Sequence, residues 1–341
     1  MIEIMSKTED ELVEYVTSIG EAAFRGRQLF GWLQKGIDSF DELNNMPKSF
    51  RAKLASDCLL TTLRIVRCQI STDGTRKYLF ELFDGERIES VFMKYKHGNT
   101  VCVSTQAGCR MGCSFCASTL NGLRRNLYPS EILRQILSIQ KDTGERVSNV
   151  VLMGMGEPLD NYDNVIRFLH LLNDEKGLNI GYRHVSLSTC GLIEKMDKLA
   201  DEGLPITLSV SLHAPNGEIR ANIMPIARKY AYDDLLEACK RYEDKTKRRI
   251  SFEYALISGV NDRVCDAEEL GKRLRGTLCH VNLIPLNQTE RKVYKRSEKN
   301  AIELFTKTLE SYKITATVRR SLGSDISAAC GQLKAESDNI E

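Results

Sequence analysis

Gly108-Cys109-Arg110-Met111-Gly112-Cys113-Ser114-Phe115-Cys116 is the stretch from which the rest of the chain is read. Three cysteines spaced x3 and x2 share one loop, and two glycines let it curl. Three thiolates can hold a [4Fe–4S] cluster by three of its irons and leave the fourth for a ligand that is not protein. Most structural clusters close all four positions with cysteine, so an open corner points to chemistry at the metal. Zinc is the competing reading, because dense cysteines also bind that ion. It ordinarily takes four protein ligands, and here neither a second Cys pair nor a His at finger spacing follows. The spacing favours iron–sulfur and leaves zinc open.

The flanking sequence alternates between two periods. Val101 to Thr105, Asn149 to Met153, His184 to Ser188, Ile206 to Leu212, Ile250 to Leu256 and His280 to Ile284 read as strands. Helical patterns separate them, as at Ser130 to Lys141, Ile193 to Asp201 and Tyr232 to Tyr242. Six such units predict an α/β fold, a partial parallel (β/α)6 barrel, closed by a strand-like run at Ile314 to Arg319. Chemistry in such barrels sits in the loops after the strand C-termini, which is where the cysteine loop falls. Residues 1–60 predict a small helical domain with Arg25, Arg27, Lys48, Arg51 and Lys53 among its apolar positions, suited to gripping RNA or to serving as a plain cap. Residues 61–97 read as a β-hairpin linker, with turns at Asp73-Gly74 and Asp84-Gly85. The core then spans 98–335, and 336–341 form an acidic tail.

Composition bounds the rest. A chain of 341 residues with net charge +2, no apolar run of spanning length and no signal pattern predicts a cytoplasmic protein with no membrane association. Eleven cysteines, an odd number without an export signal, read as reduced thiols. Cys58, Cys68, Cys190, Cys239, Cys265 and Cys279 lack spacing logic and are expected to be small buried hydrophobes. Lys240 to Arg249 carries six basic residues against two acidic, and Arg291 to Lys299 is also basic. Such runs track phosphate backbones or simply face solvent.

Further residues at strand ends suggest one pocket. Met153-Gly154-Met155-Gly156-Glu157-Pro158 follows the second barrel strand, and Glu157 with nearby carbonyls can bind an ammonium group. Ser188-Thr189, Ser211-Leu212-His213 and Pro285-Leu286-Asn287 supply polar groups on the same rim, although a lone polar residue at a strand end usually caps a helix. Cys102 precedes the cluster loop, and Cys330 sits in the small-residue run Ala328-Ala329-Cys330-Gly331-Gln332. Either thiol taken alone is more often inert. Glu89 lies on the strand before the barrel, where most glutamates are solvated.

Taken together, these residues resemble the radical S-adenosylmethionine (SAM) RNA adenine methyltransferases, the RlmN/Cfr family. The resemblance runs over nearly the whole chain and includes Phe24-Arg25-Gly26-Arg27-Gln28-Leu29-Phe30, the Glu89 strand, Cys102 with the cysteine loop, Met153 to Leu159, Ser211-Leu212-His213 and Ala328 to Leu333. It implies that Cys109, Cys113 and Cys116 ligate a [4Fe–4S] cluster, and that Gly156, Glu157, Ser188, Ser211, Leu212, His213 and Asn287 bind SAM. It implies that Cys330 carries the methyl group as S-methylcysteine, that Cys102 resolves a protein–RNA adduct through a transient disulfide with Cys330, and that Glu89 accepts a proton. The expected product is C2-methyladenosine in 23S rRNA, with tRNA as a second candidate substrate and flavodoxin or ferredoxin as electron donor to a monomeric enzyme. Pro158 after Glu157 and the Tyr294 to Ser297 stretch fit the C2 branch. Leu286-Asn287-Gln288 and Cys190 beside Ser188 depart from the common pattern and keep C8 methylation as the alternative. A radical SAM enzyme with a non-RNA substrate is the further rival, and a zinc-stabilised RNA-binding module is the non-enzymatic one.

Overall fold

The computed structural model describes residues 1–287 and 294–334. Three helices, α1 (Glu9–Ser18), α2 (Ala23–Leu33) and α3 (Lys48–Asp57), form the N-terminal unit, pinned by the short parallel pair β1 (Ile2–Glu3) and β2 (Cys58–Leu59). Thr8 starts α1 with a capping box, its hydroxyl accepting from the Glu11 N–H while the Glu11 carboxylate accepts from the Thr8 N–H. The apolar face of α1, including Leu12 and Val16, is buried against α2, which contributes Leu29, Phe30 and Leu33.

One ten-stranded sheet carries everything after that. β3 (Arg64–Ile70), β4 (Arg76–Glu81), β5 (Arg87–Tyr95) and β6 (Gly98–Cys102) pair antiparallel. The Asp73-Gly74 and Asp84-Gly85 turns fall where the sequence places them, and Gly74 and Gly85 both have φ of +84°. A small antiparallel ribbon, β7 (Gln106–Gly108) with β8 (Leu123–Asn126), brackets the cysteine loop. From β6 the sheet continues in parallel through β9 (Asn149–Leu152), β10 (Val185–Thr189), β11 (Thr207–Ser211), β12 (Ile250–Leu256), β13 (Cys279–Pro285) and β14 (Thr315–Val318). Seven parallel strands thus curve as an open partial barrel, with β14 at one edge and β3 at the other. The hairpin strands are part of this sheet and extend it beyond β6.

The burial of each strand follows its position. β12 is apolar and almost wholly buried, as a strand covered on both faces must be. β3, at the edge, is largely exposed and carries Arg64 and Arg67, charges that discourage edge-to-edge pairing. Helices α4 (Pro129–Thr143), α5 (Tyr162–Asn173), α6 (Ile193–Asp201), α7 (Gly217–Ile223), α8 (Tyr232–Thr246), α9 (Val264–Leu274) and α10 (Lys299–Ser311) fill the crossovers. α4 has Pro129 in its first turn and Gly144 in a left-handed C-terminal cap.

The N-terminal unit and the barrel share a single core, in which Leu12 and Phe30 belong to the same cluster as Ile132 and Val210. Polar contacts reinforce the junction: Arg134 pairs with Asp38, Arg167 with Glu11 at 2.8 Å, and the Ser130 N–H donates to Ser6 Oγ at 3.1 Å. The Lys240 to Arg249 run covers the last turns of α8 and the connection up to β12, with Arg241 and Lys245 paired to Asp197 and Asp201. Cys58, Cys190 and Cys239 are buried as expected. Cys68 and Cys265 are exposed, because β3 and the first turn of α9 turn them to solvent, and Cys279, at the start of β13, is only half-buried. The acidic tail, Gln288 and part of the Arg291 to Lys299 run lie outside the described residues. Among the described residues no helix is long and apolar enough to cross a membrane.

Candidate active site

The cysteine loop owes its shape to one glycine in particular. Gly108 has φ +75°, and a Cβ there would stand 1.9 Å from the Gly122 carbonyl oxygen. That same carbonyl accepts from the Cys109 N–H at 3.0 Å, so the loop closes on the ribbon strand opposite. At its other end the Ser114 N–H donates to the Ile223 carbonyl at 2.9 Å, tying the loop to the end of α7. Burial raises the thiol of Cys109 to about 12 and those of Cys113 and Cys116 upward as well. Buried, uncharged thiols of this kind ionise when a metal supplies the counter-charge.

One cavity of about 160 Å³ collects most of the sequence-predicted residues. Cys109, Cys113, Cys116, Gly156, Glu157, Ser188, Ser211, His213, Asn287 and Cys330 all border it. Cys102 borders the adjoining cavity, which Cys330 and Asn287 also line. Leu212 and Glu89 border neither. Leu212 is fully buried in the core, and its N–H donates to the Glu253 carbonyl at 3.1 Å.

Each strand end presents its group for a local reason. Gly156 has φ +101°, and a Cβ there would meet Gln106 Cβ at 2.6 Å, so the backbone runs tight against the β7 side of the loop. Glu157 is buried with each carboxylate oxygen occupied: Oε2 accepts from the Cys190 N–H at 2.7 Å and Oε1 from the Leu159 N–H at 3.0 Å. Burial raises its pKa, opposed by these bonds. A carboxylate has further lone pairs, so it can still receive an ammonium while it fixes the end of β10. The Ser188 and Ser211 hydroxyls lie 3.4 Å apart across neighbouring strands.

His213 is not a base here. Its Nδ1 accepts from the Ala255 N–H at 2.9 Å, its ring meets Phe115 edge-on at 5.0 Å, and burial lowers its pKa to about 3, with Arg220 adding to the effect. The residue holds φ +56°, an uncommon backbone for a non-glycine, which turns its ring into the cavity wall.

The C-terminal loop is bolted to the cysteine loop. The Ala117 N–H donates to the Gly331 carbonyl at 2.8 Å and Ser118 Oγ to the Leu333 carbonyl at 2.7 Å. Asn287 Nδ2 donates to the Cys330 carbonyl at 3.2 Å. Cys330 is thereby held partly exposed, while burial, with Cys330 nearby, raises the Cys102 thiol to about 12. The solvated reading of Glu89 is corrected: it is 3% exposed, with its carboxylate 3.2 Å from Lys77 Nζ and accepting from the Lys334 N–H at 2.7 Å. Its strand meets the C-terminal loop through that bond from Lys334.

Three residues that the sequence reading passed over belong to this site. Glu253 and Arg319 both border the cavity; Asn282 Nδ2 donates to Glu253 at 2.9 Å, and burial raises its pKa, opposed chiefly by Arg319. A lone acid in the apolar run Ile250–Leu256 was the available signal. Arg220, on α7, is fully buried; its Nη2 donates to the Cys190 carbonyl at 2.7 Å and to the Ser211 carbonyl at 3.2 Å. Its Nε and Nη1 have no hydrogen-bond partner, and among the described residues it has no carboxylate partner. Burial lowers its pKa, and the nearby groups whose ionised forms would offset this are Cys190 and Cys113, then Tyr232 and Cys239; a buried cation needs such a counter-charge.

That unmatched cation fits a cysteine-bound cluster, whose thiolates bring negative charge to the same place. Among the described residues no three His, Cys, Asp or Glu side chains gather closely enough to hold a single metal ion. A cluster asks for less convergence, because it takes one thiolate per iron.

Comparison with known proteins places the chain. Residues 103–270 match the radical SAM superfamily, and residues 2–60 match the ribosomal RNA large subunit methyltransferase N-terminal domain. A protein of Alkaliphilus oremlandii named "Probable dual-specificity RNA methyltransferase RlmN" is 55% identical over 98% of this chain and 97% of its own length. A Clostridioides difficile protein of the same name is 54% identical over 96% of each. The crystal structure of a radical SAM methyltransferase from Sphaerobacter thermophilus superposes with a TM-score of 0.95, at 44% identity, over 98% of this chain and all of that one. The family implies a [4Fe–4S] cluster and SAM, both of which the cavity's donors suit. The chain belongs to the RlmN family of radical SAM RNA methyltransferases.

Proposed function

We propose that this chain methylates adenosine at C2 in 23S rRNA and in tRNA, using SAM as methyl donor and Cys330 as the methyl-carrying thiol. The observation that carries the reading is the placement of Cys330. It stands where two cavities meet, one lined by the three loop cysteines and the other by Cys102.

Adenine C2 is an electron-poor carbon and does not attack a methyl sulfonium directly. The bound cluster and SAM supply the one-electron chemistry that such a carbon requires. The residues of this chain do the rest. Cys109, Cys113 and Cys116 would hold the cluster, which would supply a site for SAM. Gly156, Glu157, Ser188, Ser211 and Asn287 cradle SAM around its polar groups, and His213 braces Phe115 beside the loop. Leu212, buried in the core, holds the end of its strand through the bond from its N–H to the Glu253 carbonyl. Cys330 accepts a methyl at sulfur, and that carbon becomes bonded to adenine C2 as a thioether link between protein and RNA. Attack of the Cys102 thiolate on the Cys330 sulfur then forms the S–S bond as the S–C bond breaks, and the released carbon takes a proton to become the methyl group. Glu89 takes the proton lost from the adenine, and Lys77 compensates its charge in a buried setting. An RNA substrate suits the cationic edges of the N-terminal unit, where Arg27 and Lys48 face outward.

Nucleoside mass spectrometry of rRNA and tRNA from cells with and without the gene tests the reading. Loss of 2-methyladenosine from both RNAs in the deletion is expected. A lost 8-methyladenosine would move the chain to the other regiochemistry, and unchanged RNA would remove the substrate assignment.

A further inference from the structure

An open groove of about 780 Å³ runs along the outer side of the cysteine loop, and no step of the methyl transfer uses it. Its floor is apolar, with Met111, Leu159, Leu192, Pro225 and Ile226. Its rim carries four cationic side chains, Arg110, Lys195, Arg228 and Lys229, against two acidic ones, Asp160 and Glu194. Both acids are engaged: Asp160 pairs with Arg110, and Glu194 accepts from the Tyr230 hydroxyl. Arg228 and Lys229 are exposed, and among the described residues neither joins an ion pair; the Lys229 ammonium lies 4.6 Å from the centre of the Tyr230 ring.

The groove adjoins the metal side of the catalytic cavity. Met111 borders both hollows, and it sits between two of the cysteines in sequence. A Cβ on Gly112 would stand 3.4 Å from Pro225 Cγ, so the loop rests directly against the groove floor. The methyl-carrying thiol opens instead toward the second cavity, with Cys102. Met111 is thus shared by the floor of an exposed groove and the wall of the cavity that the three thiols line.

Radical chemistry needs one electron delivered to the cluster for each cleavage, and of the three thiols Cys109 and Cys113 are buried and Cys116 half-buried. An apolar centre with a charged rim is the usual anatomy of a protein–protein contact. A phosphate backbone seeks cations and gains little from an apolar floor. We propose that this groove docks an acidic one-electron carrier protein whose apolar redox group, such as the edge of a flavin, seats over Met111 and Pro225. The proposal rests on the radical SAM reading above. Arg228 and Lys229 steer the carrier by its charge, and the floor fixes its distance from the loop.

Flavodoxin is the probe, and Arg228→Glu/Lys229→Glu the variant, since both side chains are exposed and neither belongs to the methyl-transfer machinery. In the holoenzyme, affinity for oxidised flavodoxin at low salt should fall about tenfold or more, with a weaker dependence on salt. Deoxyadenosine formation driven by reduced, sub-saturating flavodoxin should fall by a similar factor. Formation driven by dithionite, iron content and RNA affinity should stay within about twofold, because the variant touches only the carrier's approach. Unchanged flavodoxin affinity and rate would overturn the proposal. So would weakened RNA binding with flavodoxin binding intact, which would give the groove to RNA. Absence of deoxyadenosine from the unaltered holoenzyme with dithionite would mark failure of the radical reading instead, and the affinity for oxidised flavodoxin would still decide the groove.

Discussion

Arg220 shows how much one side chain can say about a site. A fully buried guanidinium with two unsatisfied nitrogens is costly unless negative charge arrives beside it. Arg220→Met should therefore lower iron retention and make the cluster harder to reduce, read as a more negative midpoint in a redox titration followed by electron paramagnetic resonance. His213 makes a different statement. Its folded pKa of about 3 lies below the ordinary histidine value, so between these the unfolded chain binds more protons than the folded one. Its contribution to stability is complete above about pH 6.5 and is lost as pH falls toward 3. By NMR, the His213 ring should show no titration between pH 5 and 8; a midpoint near 6.5 would contradict its buried, acceptor role. The cysteines separate by function. Cys109→Ala should lose the cluster and all turnover. Cys330→Ala should keep the cluster and cleave SAM without transferring methyl. Cys102→Ala should accumulate an enzyme–RNA crosslink, visible on denaturing gels. Glu89→Gln should slow turnover by roughly 10²- to 10⁴-fold, the usual worth of a general base. Cys109, Cys113 and Cys116 stood out in the sequence by their spacing, whereas roles for Cys102 and Cys330 came only from the family resemblance. Arg220 and Glu253 did not stand out, since a charged residue in a helix or an apolar strand reads as a surface position until the fold encloses it.

The two loops to which the proposed chemistry is assigned are each held by an element of the sheet. Gly108 lets the cysteine loop pass the β8 side of its ribbon. Gly108→Ala would place a methyl group against the Gly122 carbonyl and strain a positive φ. A cost on the order of 1–3 kcal/mol for the strain alone, with loss of iron on purification, is expected from such a site. The C-terminal loop is clasped by the β3–β4 turn. Asp73 accepts from the Gly323 N–H at 2.9 Å, and Asp325 accepts from Ser71 Oγ at 2.6 Å. Although burial works against it, hydrogen bonds from Thr75 and Gly323 bring the Asp73 pKa down to about 2. The clasp is thus fully formed above the usual aspartate range and is lost as pH falls through about 2. Asp73→Asn should speed amide hydrogen exchange at 323–330 while leaving the barrel strands protected. Strand periods and the hairpin turns made these elements readable from sequence with boundaries a few residues off. The clasp was not readable, because it joins residues 250 apart through a side chain and a backbone N–H.

The molecule as a whole is an open barrel with its chemistry on one rim and its N-terminal unit sharing the core. Because Leu12, Phe30, Ile132 and Val210 belong to one cluster, removing residues 1–60 should abolish cooperative unfolding instead of leaving an independent barrel. Differential scanning calorimetry of the truncated chain checks this, and a sharp, reversible transition would contradict it. The parallel α/β order was legible because alternating periods leave few topologies. The fusion of the hairpin strands into the same sheet was not, since pairing partners beyond the nearest turn are set by packing. Every functional assignment converges on three loop cysteines that leave one iron for SAM. Adding SAM to the anaerobic, dithionite-reduced holoenzyme tests it most directly. The account predicts a changed electron paramagnetic resonance signal and the formation of 5′-deoxyadenosine. An unaltered signal with no deoxyadenosine would contradict it.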